Sequence, residues 1–252
     1  MSEICLSSHH VSAALVKIRI WGAFNSRVNH VRIGAHSGFP ADRRHEITAA
    51  TQRLLGDAIA LSEDDWHAPT RLPGWSRAHI ATHLTRHAQA LTALVREITT
   101  THPSSFPWTI EHADEDLNLG AFSGAIALQE ALDTSSADLM AAFDEMDDAG
   151  WAVPLTTGSG PLPASALVLD RLNEVIIHHV DLDLGFDFTD VDPTVVRSLL
   201  DWNLERRPGL SKVLQNLLND GHTAEAILGW LTGRYAPVTV GTTHGLEFSG
   251  PW

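Results

Sequence analysis

Residues 171–182 constrain the fold most, because they read as a helix in which apolar residues surround ionisable side chains. Glu174 and His178 are four residues apart, so they lie one turn apart on the same helix face. A carboxylate in apolar surroundings is costly unless something pairs with it. One oxygen donor and one nitrogen donor on the same face indicate part of a metal site. The segment therefore predicts a buried helix and a further ligand elsewhere in the chain.

Three more segments have the apolar periodicity of long helices. They cover residues 41–61, 77–98 and 124–146, with Ser76 as the expected N-cap of the second. The fourth helix is expected to run from 163 or 164 to about 184, where Gly185 ends it. Residues 64–66 are expected to interrupt the helical structure, and residues 99–118 to form the one long connection between helices. This pattern predicts a mainly α protein with a four-helix bundle at 41–185.

The second helix can supply the missing ligand, because His79, His83 and His87 are each four residues apart. Bundles commonly build metal sites from side chains on facing helices. One of these histidines together with Glu174 and His178 would give three protein ligands. Three ligands leave a position open for water or substrate, as in catalytic zinc sites.

The regions on either side of the bundle differ from it in composition. Up to residue 44 the chain has six of its 17 basic residues and only two acidic ones, and residues 1–38 lack a clean helical period. We therefore expect residues 1–40 to be a poorly ordered extension or a mis-called start. Residues 188–252 are expected to form a small second unit. It would contain short helices at about 193–204, 210–218 and 224–231 and a small hairpin within 236–248.

Composition excludes several functional classes. The net charge is −14, from 17 basic and 31 acidic residues, which argues against a nucleic-acid surface. The single cysteine, Cys5, permits no internal disulfide and no thiolate metal cluster. No apolar run approaches the roughly 20 residues of a membrane helix. We expect a cytoplasmic bacterial protein, a monomer or weak dimer, with a small-molecule substrate as its partner.

Two motifs resemble a known family. Residues 74–84 read GWSRAHIATHL and residues 174–182 read EVIIHHVDL. Both resemble signatures of the mycothiol-dependent maleylpyruvate isomerases, which belong to the DinB-like metal-binding four-helix bundles. The C-terminal segment at 231–234, LTGR, resembles a third family segment. The resemblance covers about residues 45–252 and rests on the order and separation of the motifs.

The resemblance implies a zinc site and a thiol reaction. It selects His83 from the three stacked histidines, to bind zinc together with Glu174 and His178. It implies that Arg234 reaches the active site from the second unit and acts in catalysis. The implied cofactors are Zn²⁺, or another divalent metal, and mycothiol, a cytosolic actinobacterial thiol. The implied reaction is thiolate addition to a cis enoyl substrate, rotation about the former double bond, and elimination.

The chain also departs from the family pattern. Ala113 falls where the isomerase has a second arginine, and Asn173 stands before the glutamate, where arginine is frequent. The C-terminal unit is also short between residues 208 and 222, where the isomerase has extra strands. These departures leave two hypotheses. The first is an enzyme, either an isomerase or a thiol transferase. The second is a non-catalytic metal-binding bundle that acts as a ligand sensor or as a stress-response binding protein. His87 and Asp181 are expected to line the site or to support its ligands.

Overall fold

The computed structural model describes residues 43–108, 114–157 and 160–235. Within them the protein is mainly helical with one small sheet, as the sequence predicts. The helices are α1 Arg44–Ala58, α2 Glu63–His67, α3 Arg77–Thr101, α4 Asp114–Gly120, α5 Ala125–Asp144, α6 Asp148–Ala152, α7 Ala166–Asp181, α8 Pro193–Glu205, α9 Ser211–Asn219 and α10 Ala224–Leu231. The strands are β1 Phe106–Pro107, β2 Pro154–Thr157 and β3 Gly160–Pro163. The extension at 1–40 and the hairpin at 236–248 lie outside the described residues.

The four long helices α1, α3, α5 and α7 form the bundle. Helix α3 packs against α5 and α7, and α1 packs against α7 and α5. Ser76 precedes α3 as predicted, and its backbone N–H donates to Nδ1 of His79 at 3.1 Å. This contact satisfies polar groups that a helix start otherwise leaves without partners. No described helix combines the length and the apolar composition that crossing a lipid bilayer requires.

Helix α7 lies at the centre of the molecule, because apolar residues occupy almost every side of it. Between residues 171 and 182 every residue is buried except Glu174, which is partly exposed. The helix ends at Asp181, a few residues before the predicted end at 184. Asp183 adopts a left-handed backbone with φ 55°, a conformation that aspartate tolerates better than most residues. Gly185 also has a positive φ, of 92°, but it follows the turn rather than ending the helix.

Two local expectations are wrong. Residues 64–66 do not interrupt the helical structure, because they belong to the short helix α2. Ser62 and Asp65 cap this helix reciprocally. Trp66 of this helix is fully buried. The long link at 99–118 is also shorter than expected, because α3 continues to Thr101 and α4 begins at Asp114. The extended structure expected near 151–162 is present as β2 and β3, which pair antiparallel, while β1 pairs parallel with β2.

The three C-terminal helices lie close to their predicted positions. Thr223 caps α10, and Asp192 caps α8 through the backbone N–H of Thr194. Buried residues of α8 and α10, such as Leu199 and Leu228, belong to the same apolar cluster as residues of α3, α5 and α7. The apolar core is therefore continuous from the bundle into the C-terminal helices. The division into units at 41–185 and 188–252 stays a prediction.

Candidate metal centre

Three of the predicted ligands converge between α3 and α7. Nε2 of His83 lies 3.0 Å from Oε2 of Glu174, and Nε2 of His178 lies 3.3 Å from the same oxygen. One donor atom from each residue lies within 4.8 Å of the other two. The three side chains are 13, 24 and 11% exposed in this order, so the cluster is mostly buried but reachable from solvent. The geometry brings together the three residues that the family resemblance selects.

The spacing of these atoms fits a metal ion. Zinc binds histidine nitrogen and carboxylate oxygen at about 2.0–2.2 Å, so tetrahedral neighbours lie roughly 3.3 Å apart. The separations of the Glu174 oxygen from the two histidine nitrogens, 3.0 and 3.3 Å, are close to this value. Two imidazoles and one carboxylate also form a donor set that several divalent metals accept.

A hydrogen bond to Asp181 orients His178. Nδ1 of His178 lies 2.9 Å from Oδ2 of Asp181, which leaves Nε2 directed at Glu174. Such a carboxylate–histidine pair fixes the tautomer and makes the ring a stronger metal ligand. Asp181 is itself fully buried and forms a bidentate ion pair with Arg234, with Nε–Oδ1 at 2.9 Å and Nη2–Oδ2 at 2.6 Å.

The charges of the cluster favour a cation between the three ligands. Burial lowers the pKa of His178, but hydrogen bonds with Asp181 and Glu174 outweigh it and raise that pKa to about 9. Burial likewise opposes the charge of Glu174, yet the two histidines hold its pKa well below the usual value. Burial lowers the pKa of His83 to about 4, so this ring is neutral at pH 7. A metal ion would replace the proton that two carboxylates otherwise keep on His178.

A tryptophan covers one side of the cluster. The Trp75 ring stacks on the His178 ring at an interplanar angle of 11°, with the centroids 6.4 Å apart. Its centroid also lies 5.6 Å from that of His83. Trp75 comes from the turn before α3, where Gly74 has a φ of 82°. The GWS motif therefore sets both the start of α3 and an aromatic wall beside two predicted ligands.

A second polar pair lies one helical turn from the ligands. His87 follows His83 by four residues, Asp170 precedes Glu174 by four, and Nε2 of His87 lies 3.1 Å from Oδ2 of Asp170. On the far side of His87, Arg171 donates from Nη1 to the carbonyl oxygen of Leu84 at 2.9 Å. Its Nη2 donates to the Ser136 hydroxyl at 3.2 Å. His87 thus lies in a buried polar layer beside the predicted ligands.

The remaining sequence candidates have other positions. Nδ1 of His79 lies within hydrogen-bond distance of the Ser76 hydroxyl. Its Nε2 lies 3.1 Å from Oδ1 of Asn118 on α4. His179 points away from the cluster and pairs with Asp57 on α1 at 2.8 Å. Asn173 accepts a hydrogen bond from Asn203 of α8 at 2.7 Å. Ala113, where the family has an arginine, lies outside the described residues.

Sequence reasoning missed Asp170, Arg171 and Arg206 as polar neighbours of the site. Asp170 could have been found, because it extends the four-residue spacing of Glu174 and His178 backward along the same helix face. Arg171 is fully buried, which no local pattern indicates. Arg206 directly follows α8, so its distance from the site depends on how α8 packs against α7.

The fold and the site define a class, a helical bundle with a buried histidine–carboxylate cluster suited to a divalent metal. Comparison with known families is more specific. Residues 47–183 match the model of the mycothiol maleylpyruvate isomerase N-terminal domain. This match covers more than half of the chain, so the chain belongs to that family, which is a family of enzymes.

Two solved structures share the fold. A crystal structure of the mycothiol-dependent maleylpyruvate isomerase is 20% identical, with a TM-score of 0.68 over 86% of this chain and 98% of that chain. A histidine-to-alanine mutant of the mycothiol-dependent maleylpyruvate isomerase is 19% identical, with a TM-score of 0.64 over 79% and 91%. A search of curated protein sequences found no significant match. At this identity the structures establish the fold and not the substrate.

Proposed function

We propose that this protein is a zinc-dependent enzyme that uses mycothiol to isomerise a cis enoyl acid such as maleylpyruvate, or to transfer the thiol to a related electrophile. The observation that supports it most is the convergence of His83, Glu174 and His178 on one point. Family membership adds the thiol and the reaction type. Because the reaction uses a cytosolic thiol, the proposal also places the protein in the cytoplasm.

The three ligands are proposed to bind the ion and leave one side open. A divalent ion there would lower the pKa of a bound thiol, and a thiolate can add to an activated cis double bond, permit rotation and leave again. Zinc suits two imidazoles and a carboxylate, although nickel, cobalt or iron would also accept them. Trp75, whose ring lies beside those of His178 and His83, is proposed to limit the access of water from that side and so to strengthen electrostatic interactions in the site.

Arg234 is proposed to act first through Asp181. Its Nε and Nη2 bind the two oxygens of Asp181, and its Nη1 donates to the carbonyl oxygen of Thr232. In this position it fixes the carboxylate that orients His178. Direct contact between Arg234 and a substrate carboxylate, the role that the family resemblance implies, stays a prediction. His87 is proposed to line the site beside His83, and Asp181 to support His178.

Metal analysis beside a turnover assay tests the proposal. The wild-type protein should bind about one metal ion per chain, as catalytic zinc sites with three protein ligands do. Glu174→Ala should lose that metal, because it removes the carboxylate shared by both histidines. Glu130→Ala, an exposed glutamate on α5, is the matched control and should keep it. With mycothiol added, wild type and control should consume maleylpyruvate or a test electrophile.

Two results would contradict the proposal separately. If His83→Ala and Glu174→Ala both keep the wild-type metal content, the three residues are not the ligands. If metal is bound at these residues but no mycothiol-dependent turnover occurs with maleylpyruvate or a panel of electrophiles, the proposed reaction is wrong.

A further inference from the structure

We propose that Arg206 binds a carboxylate of the substrate, about one helical turn from the three proposed metal ligands. This inference rests on the proposed function and adds a residue that would recognise the acid group of the substrate. Arg206 follows the last residue of α8, outside the region that matches the family model.

Arg206 faces the polar layer next to the ligands. Its Nη2 lies 3.9 Å from Oδ1 of Asp170, whose other oxygen contacts His87. Asp170 lies four residues before Glu174 on α7, an axial step of about 6 Å. Burial lowers the pKa of Arg206 to about 10, while the carboxylates of Asp170, Glu205 and Glu174 oppose that change.

Arg206 uses fewer of its donors than the other two arginines of the site, although the buried Nε of Arg171 also has no partner within the described residues. Arg234 binds Asp181 through two nitrogens, and Arg171 binds Leu84 and Ser136. Within the described part of the chain, Arg206 donates one hydrogen bond, from Nη1 to the carbonyl oxygen of Trp202 at 3.2 Å.

The orientation of Arg206 is also fixed in advance. Its guanidinium stacks over the Trp202 ring, and the side chain is only 14% exposed. The separation of 3.9 Å from Asp170 is too long for a hydrogen bond. A guanidinium has five N–H donors in a planar fork that matches a carboxylate. An oriented fork with open donors beside a metal centre is suited to binding a carboxylate group of a small molecule.

The balance of charge agrees with an anionic ligand. The ligand cluster and the polar layer beside it contain three carboxylates and three guanidinium groups. The carboxylates are those of Asp170, Glu174 and Asp181, and the guanidinium groups are those of Arg171, Arg206 and Arg234. These six charges cancel, so a divalent ion would leave the site with two positive charges. One thiolate and one carboxylate would neutralise them. A neutral electrophile would leave a buried positive charge without a partner, which is unfavourable in a low-dielectric site.

Calorimetric titration of the zinc-loaded protein tests this without turnover. Succinate has two carboxylates, while succinamate has one carboxylate and one amide, so their difference reports the second carboxylate. Wild type should bind succinate about 10-fold or more tightly than succinamate, as expected for a charged hydrogen bond. In Arg206→Gln the two affinities should become nearly equal. Arg197→Gln, an exposed arginine on the same helix, should retain the wild-type difference.

A second measurement uses the wild-type protein alone, in case Arg206→Gln does not fold. Succinate should slow phenylglyoxal modification of Arg206, but not that of Arg197, when modified peptides are quantified by mass spectrometry. The inference would be overturned if Arg206→Gln kept the wild-type preference for succinate, or if it lost affinity for succinate and succinamate equally. It would also be overturned if the wild-type protein showed no preference for succinate, or if succinate did not protect Arg206.

These outcomes are distinct from failure of the proposed function. If discrimination depends on Arg206 but no mycothiol-dependent turnover occurs, the anion site stands and the proposed reaction fails. If turnover occurs while Arg206→Gln still discriminates, the reaction stands and the role of Arg206 fails.

Discussion

Replacing Asp181 by asparagine should weaken metal binding and destabilise the fold at the same time. The carboxylate of Asp181 is fully buried and contacts both His178 and Arg234. An amide keeps the size and one acceptor oxygen, so Nδ1 of His178 can still donate to it. The negative charge is lost, however, and the Arg234 side chain, only 9% exposed, keeps its positive charge.

The size of each effect follows from these contacts. Removing one partner of a buried ion pair costs about 3–5 kcal/mol, and the retained amide acceptor places the expected loss near ~3 kcal/mol. A typical domain is stable by about 5–15 kcal/mol, so the variant should still fold. Loss of a carboxylate that supports a metal-binding histidine typically weakens metal affinity about 10–100-fold.

The assay is a metal titration against a competing chelator, followed by urea unfolding of the metal-free protein. The control is Asp183→Asn, which removes a more exposed carboxylate paired with Arg71 while keeping a residue that tolerates the positive φ. It should change stability by less than about 0.5 kcal/mol. Wild-type metal affinity in Asp181→Asn would show that the Asp181 contact does not tune His178, and the reasoning would be refuted.

Two further predictions concern pH and packing. The pKa of His178 is raised to about 9, so in the metal-free protein its stabilising contribution is complete below pH 6.5 and lost as pH rises toward 9. Unfolding at a series of pH values should show this loss of stability without metal and not with zinc. Calorimetry in buffers of different ionisation enthalpy should detect proton release on zinc binding. A metal-free stability that does not change with pH would contradict the prediction. Gly120→Ala should destabilise the protein by about 1–3 kcal/mol, because a Cβ would lie 2.3 Å from Thr82. Gly56→Ala, inside α1 with open space, should instead stabilise it by about 0.5–1 kcal/mol, and equal effects in thermal unfolding would contradict the packing argument.

Helical periodicity predicted the bundle well, because burial of one face dictates the spacing of apolar residues in all four long helices. The short helix α2 was missed for a physical reason. It has five residues, too few for a periodic pattern, and its reciprocal cap between Ser62 and Asp65 lies in an acidic stretch that reads as a loop. The end of α7 was placed too late, because Asp183 rather than a glycine adopts the left-handed conformation there.

The choice among the three histidines of α3 could be argued partly from local chemistry. His79 lies three residues after Ser76, where a side chain reaches back to the N-cap. Spacing alone cannot separate His83 from His87, because both lie on the same face of α3. The register between α3 and α7 decides it, pairing His83 with Glu174 and His87 with Asp170. That register is a tertiary property, so the family resemblance was needed to select the ligand.

The contact between Asp181 and Arg234 links the metal centre to the C-terminal helices. Arg234 follows α10, and α10 packs on α8 within the same apolar cluster as α7. Whatever orients Arg234 therefore also orients Asp181, and through it His178. Because coupling free energies are reciprocal, a metal bound at the proposed site would favour the docked position of Arg234 by as much as docking favours the metal. The C-terminal helices, which the family match at 47–183 leaves out, are in this sense part of the proposed metal site.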